Sequence, residues 1–176
     1  GVMTIKNCTG SLKNFEFKTA SSDQYFVISL QNTGKVNIPS TKSKDFEIIN
    51  NKFLDIHTIN SIINIQGGGD VYTTTKVKNN IFNNIYVNNG NVLSSTLAKD
   101  WNTTIFDSNF LYNCYGKLGL IQSDTSSVIQ NNIIANSNAK NKYIIIVGDD
   151  AKVYNNTLAY NNNQPKNSLG TSDPMS

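Results

Sequence analysis

The chain has 176 residues, 38% of them apolar, and a net charge of +3 carried by lysine alone, since it contains no arginine. Its lysines are scattered singly, which speaks against a nucleic-acid stripe, and no apolar run approaches membrane-spanning length. Apolar residues alternate instead of recurring at three and four, and about one residue in six is asparagine, so a single β-rich domain is expected and a helical one is excluded.

Residues 1–45 are the least regular part. No signal-like segment is visible, and no amphipathic capping helix precedes Ile5, which implies further sequence upstream and flanking domains in the same chain. Ile5-Lys6-Asn7-Cys8 starts a first unit, and Tyr25 to Leu30 predicts a strand. Val36-Asn37-Ile38 is a short strand ended by Pro39, followed by a polar loop over Ser40 to Lys44.

From Phe46 one unit recurs. Its apolar openers are Ile5, Ile48, Val77, Ile105, Ile129 and Val153. Two positions on stand Asn7, Asn50, Asn79, Asp107, Asn131 and Asn155, followed directly by Cys8, Asn51, Asn80, Ser108, Asn132 and Asn156. Five positions after the opener come Gly10, Phe53, Phe82, Phe110, Ile134 and Leu158. Each unit then carries a second β-rich run: Ile62 to Ile65, Val92-Leu93, Leu118 to Ile121, and Tyr143 to Val147. Self-similarity at this period predicts a solenoid whose turns bury their apolar faces only against one another.

Opener and first Asn share strand parity, so both are expected to point inward. The second Asn, or its Ser or Cys replacement, is then the extra residue at a bend that favours a left-handed conformation. Stacked asparagines can pair from coil to coil, which is what makes a buried amide tolerable. Two loops interrupt the period, Gly67 to Asp70 with its extension over Val71 to Thr75, and Ser94 to Trp101. The solenoid is expected over 1–163, with 164–176 a terminal loop or linker.

The Ile-x-Asn-Asn-x-Phe corner with a later strand and turn resembles the right-handed parallel β-helix of the pectin-lyase-like superfamily, and implies an all-β solenoid of about six to seven coils with an internal Asn ladder. The Asn-rich, Arg-free style most resembles β-helix domains of gut-bacterial surface proteins, which implies an extracellular or cell-surface location and a glycan as partner.

Three constellations are candidates for chemistry. Asp45, Asp70, Asp100, Asp124, Asp149 and Asp150 fall in turns shortly before an opener. Aspartate is also simply a favoured turn residue. In register, however, Asp100, Asp124, Asp149 and Asp150 would form a carboxylate column suited to Ca²⁺. The resemblance implies the same cation, since several β-helix lyases bind their uronate through Ca²⁺ held by clustered Asp. A lyase also needs a base; with no arginine, Lys99 or Lys117 would serve, with a lowered pKa. A glycosidase needs converging carboxylates, but Glu16 and Glu47 are the only glutamates and His57 the only histidine.

Rings offer the third set. Trp101 ends an insertion, Phe106 and Tyr154 follow their openers and are expected outward, and Tyr112 and Tyr160 share an offset near Tyr115. Exposed along adjacent coils, such rings would contact sugars; the plainer reading is a stack that steadies the sheet. Cys8 and Cys114 sit at different offsets in distant coils, so no disulfide is expected between them. No catalytic set is complete, so a non-catalytic surface module without a cofactor leads, and a Ca²⁺-assisted polysaccharide lyase or a glycoside hydrolase fragment is the alternative.

Overall fold

The computed structural model describes residues 3–6, 9–18, 27–32, 45–67, 74–97, 103–124, 126–141, 143–161 and 169–170. Within them the chain forms an all-β parallel solenoid and visits three parallel sheets in turn. The first sheet stacks β1 (Met3–Lys6), β4 (Ile28–Asn32), β7 (Ile63–Gly67), β10 (Asn91–Leu97), β13 (Gly119–Ser123), β17 (Ile145–Val147) and β20 (Leu169–Gly170). The second stacks β2 (Gly10–Lys13), β5 (Phe46–Ile49), β8 (Thr74–Lys78), β11 (Thr103–Asp107), β14 (Ser127–Gln130) and β18 (Lys152–Tyr154). The third stacks β3 (Glu16–Lys18), β6 (Lys52–Thr58), β9 (Ile81–Val87), β12 (Phe110–Gly116), β15 (Ile133–Ala135) and β19 (Thr157–Ala159), with β16 (Asn138–Ala139) paired to the end of β12.

The core consists of columns in which like residues stack at the strand repeat. The second sheet contributes Leu12, Ile48, Val77, Phe106, Ile129 and Val153 in one register. The third contributes Phe17, Phe53, Phe82, Leu111, Ile134 and Leu158. Within the latter, Phe17, Phe53 and Phe82 lie nearly parallel with ring centroids 4.8 and 4.7 Å apart. Removing each such side chain from water contributes about 1.5–3 kcal/mol, and no single coil can do this alone.

Between the second and third sheets the chain turns on the two-Asn corner, and here the frame differs from the sequence expectation. The first residue of each pair is the left-handed one: Asn50, Asn79, Ser108, Asn131 and Asn155 have φ of 57, 55, 55, 56 and 54°. The second turns inward and forms a hydrogen-bonded row through Asn51, Asn80, Asn109, Asn132 and Asn156. The strand ends one residue sooner than parity alone suggests, because the left-handed residue reverses which side its successor faces.

Two openers also move. Ile5 lies in the first sheet opposite Leu30, and the second-sheet column begins at Leu12. In the next affected coil Phe106, not Ile105, stands in register with Val77 and Ile129. Phe106 is therefore fully buried (0% exposed), whereas Phe110, expected inward, is 38% exposed and Leu111 takes its place in the core.

Candidate functional site

The outer face of the third sheet gathers the exposed rings. Its strands are long enough to hold a second left-handed residue in mid-strand: Asp55, Asn84 and Asn113 at φ of 53, 56 and 53°. Asn136, with φ of 47°, continues the series between β15 and β16. In β6, β9 and β12 the left-handed residue is the second of two consecutive outward positions, and only its successor turns inward again, which a regular strand would not allow. Asn and Asp accept the left-handed conformation at low cost because their short polar side chains bond locally.

Two parallel outward rows result. Along the first, the Asn84 amide donates to Asp55 Oδ1 at 2.8 Å and the Asn113 amide donates to Asn84 Oδ1 at 3.1 Å. Along the second, His57, Tyr86, Tyr115 and Asn138 stand in register. Tyr86 and Tyr115 are stacked at 4.6 Å with 9° between their planes, and His57 tilts against Tyr86 at 5.4 Å. Between the rows runs a groove of about 270 Å³ lined by His57, Tyr86, Tyr115, Asn84, Asn113 and Asn138, among others. Its floor includes Cys114, whose thiol is pushed up to about 12 by burial, against weaker opposing hydrogen bonds. Burial and the neighbouring Tyr86 phenol also push Tyr115 up, so its phenol remains a protonated donor at neutral pH.

Next to the groove, on the same face, lie Ile81, Phe110 and Ile133 in one register and Tyr112 beside Phe110 with centroids 6.1 Å apart. Of the ring residues named in the sequence, Tyr112 and Tyr115 lie among the outward positions of this face's strands. Phe106 is a correction: it fills the core and offers no ring to solvent. Tyr154 lies on the second sheet, where its hydroxyl donates to Gln130 Oε1. Tyr160, 90% exposed, follows β19 in a left-handed conformation, and so does not share a register row with Tyr112, which aligns with Ala135 and Ala159. Trp101 lies outside the described residues.

Lys99, Asp100, Asp70, Asn7 and Cys8 also lie outside them. Asp124 is half-buried directly after β13; burial pushes its carboxyl up, against a hydrogen bond from the main chain of Leu97. Asp149 and Asp150 are exposed in the turn before β18, and Asp45 accepts from the Thr74 N–H at 3.2 Å. Lys117 donates to Asn89 Oδ1 at 3.2 Å. Among the described residues, no three His, Cys, Asp or Glu side chains converge to hold a metal ion.

The charged residues on the outside of β2, β5, β8 and β11 pair with one another. Glu47 bridges Lys13 at 2.8 Å and Lys76 at 3.6 Å, and the bond from Lys13 is the largest influence holding it below its usual range. Burial alone would raise Asp107, but hydrogen bonds from Asn131, Lys78, Ser108 and Gln130 outweigh it and bring it to about 2. Over these four strands the face is a set of satisfied pairs, in contrast to the rings and amides of the third sheet.

The His57-Tyr86-Tyr115 row was not singled out in the sequence. Its signal is Asp55-Ile56-His57, Asn84-Ile85-Tyr86 and Asn113-Cys114-Tyr115, an Asx residue two positions before an aromatic ring in three successive coils. No family model matches the chain, and no curated protein sequence matches it.

Proposed function

We propose that this chain is a non-catalytic β-helix module that contacts polysaccharide through the outer face of its third sheet. The observation that carries the reading is the pairing of an exposed ring row, His57-Tyr86-Tyr115, with a parallel row of outward amides at the same repeat. Rings beside amide donors and acceptors are what hydroxyl-rich, partly apolar sugars require. The right-handed winding and the likeness to the pectin-lyase-like superfamily belong to this reading, as does an extracellular or cell-surface, adhesin-like setting in which the partner is a glycan.

The test is affinity electrophoresis of the intact chain through gels containing neutral or uronate polysaccharides, alongside ultraviolet absorbance of the uronate samples with and without Ca²⁺. Retardation with flat absorbance is the expected result. Rising absorbance from unsaturated products, abolished by chelator and by Asp124→Ala, would replace the reading with a lyase.

A further inference from the structure

From the geometry of the groove we infer that it takes a neutral, extended, hydroxyl-bearing glycan chain lying parallel to the solenoid axis, bound by ring edges and amides instead of by stacking on ring faces. This rests on the glycan-contacting reading above and deepens it.

The first ground is how the rings are presented. Tyr86 and Tyr115 face each other at 4.6 Å with only 9° between their planes, so their inner faces cover one another. What the row turns toward a ligand is ring edges and phenol hydroxyls. A sugar laid flat on a ring, the usual stacking arrangement, is therefore blocked along the row.

The second ground is hydrogen-bonding capacity. An amide carries two donors and two acceptor lone pairs. Asn84 spends one donor on Asp55 and one lone pair on Asn113, leaving one of each for a ligand. With the phenols beside it, the groove offers donors and acceptors together. Sugar hydroxyls, which both donate and accept, match such a strip; a carboxylate, which only accepts, satisfies half of it.

The third ground is pitch. Both rows repeat at the strand spacing, about 4.8 Å along the axis. An extended peptide rises about 3.3 Å per residue and loses register within two rows. An extended β-linked sugar chain has a rise per sugar close to the strand spacing and holds register across all of them. Charge points the same way: no lysine lines the groove, and Asp55 closes one end of the amide row, so an acidic glycan meets a carboxylate and no lysine.

The experiment is isothermal titration of the intact chain with cello-, manno- and xylo-oligosaccharides of two to six sugars, and with oligogalacturonate. Affinity is expected to climb up to three or four sugars, the number of strands the rows span, and then level off. Asn84→Gly keeps the left-handed backbone and removes the amide, and Tyr86→Phe keeps the stack and removes the hydroxyl. Each is expected to weaken binding about fivefold, whereas Ile133→Ser, on the same face outside the groove, leaves it unchanged. Unchanged melting temperatures check that the variants remain folded. Glycan binding that ignores Asn84→Gly and Tyr86→Phe, or that is confined to oligogalacturonate, overturns this inference and leaves the module reading standing. Silence toward every sugar in both titration and gel overturns the two together.

Discussion

Asn80 gives both its main-chain N–H and its side-chain Nδ2 to a single acceptor, Asn109 Oδ1, at 3.1 and 3.0 Å. Its Nδ2 also reaches back to the carbonyl of Ile48 at 2.8 Å. The same arrangement joins Asn51 to Asn80 and Asn109 to Asn132. It makes each coil the acceptor for the one before it, so truncating an interior asparagine strands polar groups on both sides. Asn109→Ala leaves two buried donors of Asn80 unpaired and takes the Asn109 amide away from the carbonyl of Val77, and is expected to cost about 3 kcal/mol in urea unfolding. Asn156 is only half-buried, so Asn156→Ala should cost about 1 kcal/mol. Equal losses at both positions would show that the row does not act through burial.

The residue before each ladder asparagine tests the backbone alone. Asn79 is exposed, with φ of 55°. Asn79→Gly keeps that conformation available and should change stability by less than about 0.5 kcal/mol, whereas the β-branched Asn79→Val should cost about 1–2 kcal/mol. Equal melting temperatures for the two variants would mean that the left-handed corner does not constrain the fold.

Phe106 and Phe110 are four residues apart and exchange the roles that alternation assigns them. Phe106→Ala opens a cavity in the second-sheet column and is expected to cost about 3–5 kcal/mol. Phe110→Ala, on the outer face, should cost less than about 1 kcal/mol. Chemical denaturation of both variants decides it; the reverse ranking would restore the sequence frame.

That exchange shows where the sequence was readable. The repeat of Ile48-x-Asn50-Asn51-x-Phe53 in Val77 to Phe82 is enough to declare stacked coils, since only stacking lets several turns share one buried seam. It does not say which Asn turns inward, because the two are chemically identical and only the φ of the first decides. Ile105-Phe106 adds a second ambiguity: either residue can open the coil, and the choice falls to Asn109, the amide that completes the ladder. For the candidate site, Tyr112 was readable as an outward ring, but Tyr86 was not. Its orientation depends on the mid-strand left-handed residue Asn84, which shifts parity once more.

The Asp107 carboxylate makes stability depend on acid in one direction. Its folded value, about 2, lies below the usual 3.8, so the folded state binds fewer protons than the unfolded chain between those values. The stabilisation is therefore complete above about pH 4 and is lost as the pH falls from 3.8 toward 2. Solvent reaches one edge of the carboxylate, so the effect is about 1–2 kcal/mol, below the full equivalent of the shift. Glu47, also held low, contributes in the same sense, so the informative quantity is the difference between the wild type and Asp107→Asn. Urea midpoints should diverge at pH 6 and converge toward pH 2; parallel curves would remove Asp107 from the acid sensitivity.

Cys114 supplies a reporter for opening of the third sheet. Its thiol lies under the groove, within hydrogen-bond reach of the carbonyls of Phe82 and Tyr112 at 3.5 and 3.4 Å, and burial takes it to about 12. The thiolate is the reactive species, so at pH 8 both access and ionisation protect it. In a Cys8→Ser background, a disulfide-exchange reagent at pH 8 should leave the folded chain unmodified for hours and label Cys114 at the rate of unfolding as urea is added. Because the thiol pairs through the coils that carry Tyr86 and Tyr115, a bound oligosaccharide bridging those rings should slow labelling further. Rapid labelling without denaturant would show that these coils part readily, and a groove on coils that part readily could not hold its two rows in register.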